Sequence, residues 1–86
     1  MRSYLVEVYV PRSKGREAAA AAARARSAAE ALSREGRQIR YVRTTFLPDD
    51  ETCFHLFEAA SAEVVEAAAG RAKLGRVRVL AAVEDS

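Results

Sequence analysis

The stretch SKGREAAAAAARARSAAEALSREG, residues 13–36, constrains this chain more than any other. Ala and Arg are strong helix formers. Ser13 stands where an N-cap belongs and Gly36 where a C′ glycine belongs, so the spacing predicts one long helix. Arg24, Ser27, Glu30 and Arg34 recur at helical spacing on one side, and Ala18, Ala22, Ala25, Ala29 and Leu32 form the opposite stripe. Methyl groups bury little area each, but they let a helix lie close against a sheet. The bulk of the core must therefore come from other segments.

Four segments supply it. SYLVEVYVP alternates, is rich in β-branched and aromatic residues, and ends at Pro11. RQIRYVRTTFL is a second strand, PDDE a turn with Pro at its first position, and TCFHLFEA a third strand. SAEVVEAAAGRAK is a short helix behind Ser61, with Glu63 and Glu66 in its first turns, where the helix dipole favours acid. GRVRVLAAVE is the fourth strand. The order is βαββαβ, and two right-handed crossovers place strands one and three at the centre with both helices on one face. The expected fold is an α+β, ferredoxin-like sandwich with a four-stranded antiparallel sheet. Its 86 residues form one domain, 1–86.

Charge and composition exclude several function classes. Fourteen Lys and Arg stand against twelve Asp and Glu, a near balance that makes a basic nucleic-acid stripe unexpected. TCFHLFEA also lacks the pattern with which RNA-binding domains of this topology stack bases. Arg40, Arg43, Arg76 and Arg78 read as solvated strand-edge charges. A single Cys rules out an intrachain disulfide. Glu7 interrupts the apolar N-terminal stretch, and Arg24 and Arg26 interrupt the Ala run, so neither a signal peptide nor a membrane span is expected. A cytoplasmic location follows as the expectation. No phosphate-binding Gly loop, Ser/His/Asp pattern or HExxH is present.

With both helices on one side, the other sheet face must meet water or a partner. Strand parity predicts Tyr4, Val6, Val8 and Val10 toward the helices and Leu5, Glu7 and Tyr9 outward. In strand three, Phe54 and Leu56 suit the helix side, leaving Cys53, His55 and Phe57 on the open side. In strand four, Val77, Val79, Ala81 and Val83 oppose Arg76, Arg78, Leu80 and Ala82. Strand two is ambiguous because a bulge would shift it; Tyr41, Arg43 and Thr45 are assigned to the open side. An apolar sheet face of several hundred Å² is unusual on a monomer, so a homodimer closing two sheets on each other, a dimeric α/β barrel, is expected. A chain this small also has a thin core that association would enlarge.

Cys53 and His55 are the chain's only Cys and His, and same-face neighbours on a strand lie about 6.6 Å apart. A transition metal with bonds of about 2.1–2.3 Å just bridges such a pair, with Glu7 as a third donor. The plainer alternative makes Cys53 a small buried hydrophobe and His55 a polar residue of the dimer face. Glu7, a carboxylate in the middle of a central strand, needs a partner, with Arg43 and His55 as candidates. It is either a structural ion pair or a semi-buried base or ligand.

YLVEVYVP, IRYVRTTFLPDDETCFHLFEAAS and the closing V…AVE strand resemble a small bacterial ferredoxin-like domain family of unknown function that includes nickel-binding proteins. The second hairpin carries the likeness most specifically, through Tyr41, Arg43, Thr45, Phe46, Leu47, Pro48, Asp50, Glu51, Cys53, Phe57, Glu58, Ala59 and Ser61. The resemblance implies a ferredoxin-like fold and a dimer. The nickel-binding members are His-rich in strand one and the hairpin; the corresponding stretches here hold Tyr9 and Arg43, and His55 offers the one imidazole.

The resulting expectation is a homodimeric protein that binds a small molecule at its open sheet face, with Glu7, Tyr9, Tyr41, Arg43, Cys53 and His55 as the ligand-binding set. Nickel or another divalent metal on Glu7, Cys53 and His55 is a lesser expectation. The alternative is a small cofactor-independent enzyme of the dimeric α/β-barrel type, cyclase- or oxygenase-like, with Glu7 or His55 as general base, an analogy of fold alone.

Overall fold

The computed structural model describes residues 1–85. Its elements follow in the order β1 (Arg2–Tyr9), α1 (Gly15–Arg34), β2 (Ile39–Leu47), β3 (Thr52–Ala59), α2 (Ala62–Arg71) and β4 (Val77–Ala82). The strands form one antiparallel sheet in the order β2-β3-β1-β4. This is the ferredoxin-like βαββαβ arrangement, with both helices packed over one face of the sheet. Among the described residues no helix is long and apolar enough to cross a membrane.

The helix ends follow local chemistry. At the end of α1 the Gly36 amide donates to the Ser33 carbonyl and the Arg37 amide to the Leu32 carbonyl, both at 3.0 Å. That pairing needs a left-handed residue, and Gly36 supplies it at φ 91°. The end of α2 repeats the pairing through Lys73 and Leu74, but here Lys73, at φ 55°, occupies the glycine position. A bidentate contact from Arg71 to Glu35, at 2.6 and 2.7 Å, ties the two helix ends together. Ser13 does not cap α1. It lies in a short 3-10 turn over Arg12–Lys14, and the helix begins two residues later at Gly15 without a side-chain cap. Ser61 does stand at the N-cap of α2, again without a side-chain hydrogen bond to the helix.

The core lies between the helices and one sheet face. Val6, Ala25, Leu32, Phe57 and Val65 have no accessible surface there, and Tyr4 and Ala29 are nearly as enclosed. The expected stripe of α1 is buried at Ala18, Ala25, Ala29 and Leu32, joined by Ala28, while Ala22 remains half-buried. Small residues along this stripe let α1 sit close to the strands.

Parity holds in β1 and β4 and reverses in β3. Tyr4 pairs with Phe57, Val6 with His55 and Val8 with Cys53, and directly opposed residues share a face. Cys53, His55 and Phe57 therefore point toward the helices, and Phe54 and Leu56 toward the open side, opposite to the expectation. The end of the strand shows why. Glu58 shares the face of Phe54 and Leu56 and reaches out to Arg40, whereas Ala59, on the other face, is fully buried. In β2 a register shift between Tyr41 and Arg43 splits the expected trio. Tyr41 opposes Phe57 on the helix side, while Arg43 and Thr45 oppose Leu56 and Phe54 on the open side.

Candidate functional site

The six residues expected to form one site lie on two faces of the sheet. Glu7, Tyr9 and Arg43 belong to the open face; Tyr41, Cys53 and His55 belong to the interior. The sheet backbone separates the sets, so Glu7 cannot meet Cys53 and His55 at one point.

The interior set is joined through a residue that the sequence reading passed over. Thr44 Oγ1 lies 2.7 Å from His55 Nδ1 and 2.7 Å from the Tyr41 hydroxyl. His55 Nε2 faces Cys53 Sγ at 3.8 Å. The chain can run from the Tyr41 O–H through Thr44 into Nδ1, with Nε2–H toward sulfur, or in the reverse sense throughout; each sense satisfies every member. Thr44 can hold this place because the bulge after Tyr41 puts residues 41 and 44 on one side. Tyr41 is fixed in turn by an edge-on contact with Phe57, ring centroids 5.8 Å apart, and by the Arg26 guanidinium 5.2 Å from its ring centre.

Burial first, and the Arg24 charge second, push the His55 pKa down to about 4. At neutral pH the imidazole is uncharged, and at 1% exposure it is nearly sealed from solvent. Burial likewise raises the Cys53 thiol above its ordinary range and keeps it protonated. These groups serve as a satisfied polar strand inside the core rather than as an exposed acid–base pair. His55 accordingly lacks the access to substrate that a general base needs.

The open face is organised in rows across the strands. One row runs Arg43, Leu56, Leu5, Leu80, and the next runs Thr45, Phe54, Glu7, Arg78. Glu7 Oε1 lies 3.4 Å from Arg78 Nη1, so its partner is on β4 and is neither Arg43 nor His55. Arg78 stands at the same outward parity on the strand beside β1, a pairing legible in the sequence. A depression of about 320 Å³ opens beside Arg43, lined by Leu5, Phe54, Leu56 and Thr45 from the strands, by Ala82 at the end of β4, and by Val83 and Glu84 after it. A second, of about 330 Å³, lies along Glu7, Tyr9 and Arg78. Arg43 makes no ion pair among the described residues.

A family model described as nickel responsive protein SCO4226-like matches residues 4–81. The chain belongs to the SCO4226-like family. No curated protein and no solved structure gives a significant match.

Nickel sets a demanding test for the donor set of this SCO4226-like chain. A nickel centre draws on several imidazole, thiolate or carboxylate donors. Among the described residues no three His, Cys, Asp or Glu side chains converge. His55 has Nδ1 engaged by Thr44 and Nε2 directed at sulfur, burial keeps Cys53 protonated, and Glu7 is on the far face of the sheet. The described residues of this chain do not fit a nickel centre.

Proposed function

We infer that this SCO4226-like protein is a homodimer that holds a small, largely apolar molecule with a polar head between two open sheet faces. The observation carrying this reading is the depression over Leu5, Phe54 and Leu56 with Arg43 at its edge. Its volume is at the low end of the range for small-molecule sites. An apolar floor with the Arg43 guanidinium, which has no ion pair among the described residues, and the Glu84 carboxylate in the same lining suits a ligand with a hydrophobic body and a polar head that Arg43 can bind.

A second copy is the occupant that best covers the rest of the face. Leu5, Leu56 and Leu80 form an apolar row, and the adjoining row carries both Glu7 and Arg78. A two-fold axis through such a face sets acid near base and apolar row near apolar row, since the same patch must serve both subunits. Closure also removes the ligand from water, which strengthens any contact it makes with Arg43.

Native mass spectrometry of protein purified from cells tests this reading. A dimer carrying an added small mass is the expected result, with that mass lost in Arg43→Ala while the dimer remains. Dimers of bare chain mass only, before and after Arg43→Ala, would count against the ligand.

A further inference from the structure

On the helix side, away from the open face, a cleft of about 280 Å³ opens between α1, the end of β1 and the turn after α2. His55 reaches its floor, beside Leu74, and Lys14, Glu17, Arg24 and Lys73 surround it. We propose that this cleft is a binding site for a small oxyanion, held by Arg24 and Lys73.

Three observations converge on it. The first is charge: three cationic side chains and one carboxylate line the cleft, an excess of two positive charges in a space that suits a dianion. Lys14 is the cation already engaged, 3.6 Å from Glu17, which leaves Arg24 and Lys73 to meet a ligand. The second is orientation. Arg24 Nε donates to the Ala72 carbonyl at 2.8 Å, so the guanidinium is fixed against the end of α2, and its two terminal nitrogens have no hydrogen-bond partner among the described residues. The third is backbone strain. Lys73 takes a left-handed φ of 55° at a helix C′ position where glycine is the low-cost choice. Glycine there would relieve the strain, whereas the lysine keeps an ammonium at the rim of the cleft. The nearly fully buried His55 ring forms part of the floor beneath these groups.

The phosphate dianion matches the charge best, and a carboxylate is the competing chemistry. Inorganic phosphate is titrated into the full chain at constant ionic strength, following the His55 ring and the Lys73 amide by heteronuclear NMR. Saturable shifts of both are expected, tighter for phosphate than for acetate. Lys73→Gly should raise the thermal midpoint while weakening phosphate about tenfold, the loss of one charge-assisted contact. Lys73→Arg should retain phosphate affinity close to that of the parent. Shifts that stay linear, that chloride reproduces, or that acetate saturates more tightly would overturn the proposal, as would a Lys73→Gly protein with unchanged phosphate affinity.

Discussion

Thr44 Oγ1 sits 2.7 Å from His55 Nδ1, and this contact lets an imidazole occupy the interior of an 86-residue protein. Without it the ring nitrogen would be a buried polar atom lacking a partner. With it, and with the Tyr41 hydroxyl on the other side of Thr44, no buried side-chain nitrogen or oxygen is left unsatisfied among the described residues. Thr44→Val keeps the shape and removes both hydrogen bonds. It should cost about 1–3 kcal/mol in urea denaturation at neutral pH, whereas Thr44→Ser, which keeps the hydroxyl, should lose far less.

Stability should also depend on pH through His55. The unfolded chain takes up a proton near pH 6.5, but the folded chain does so only near 4. Between those values the unfolded state binds more protons, so stability rises with pH. The contribution is fully present above 6.5 and is lost as pH falls toward 4, to a total on the order of 3 kcal/mol. Denaturation midpoints measured across this window should show the slope in the parent protein and lose most of it in His55→Gln.

The Cys53 thiol should be inert in the native state. It is fully buried, and burial raises its pKa, so thiolate is scarce and reagents lack access. A chromogenic disulfide reagent at pH 8 should label it only when denaturant is added. Labelling of the native protein at the rate of a free thiol would place Cys53 outside the core.

Much of the fold was legible because the local signals agreed with one another. The Ala stripe of α1, Gly36 at its end and the alternation of β1 each pointed to the same sandwich, and Arg78 could have been matched to Glu7 from parity alone. The face of β3 was harder to read. Its alternate sets, Cys53–His55–Phe57 and Phe54–Leu56–Glu58, are about equally apolar, and a histidine suggests an outward direction. What turns it inward is the threonine hydroxyl on the neighbouring strand, brought to His55 by a bulge that leaves no local mark in the sequence. Following β3 to its end, where Glu58 and Ala59 differ sharply, would have favoured the correct face. The grouping of Glu7 with Cys53 and His55 fell with that one reversal.

The central claim is that the open sheet face belongs between two copies of the chain, and Leu5 is the residue through which to test it. Leu5 lies between Leu56 and Leu80 on that face. A lysine there would bury a charge in the interface but would meet water in a monomer. Sedimentation equilibrium at micromolar concentration should give the parent protein twice the 9.4 kDa chain mass. Leu5→Lys should sediment at the single-chain mass with an unchanged far-ultraviolet circular dichroism spectrum. A parent that sediments as a monomer, or a Leu5→Lys protein that remains dimeric, would contradict the account.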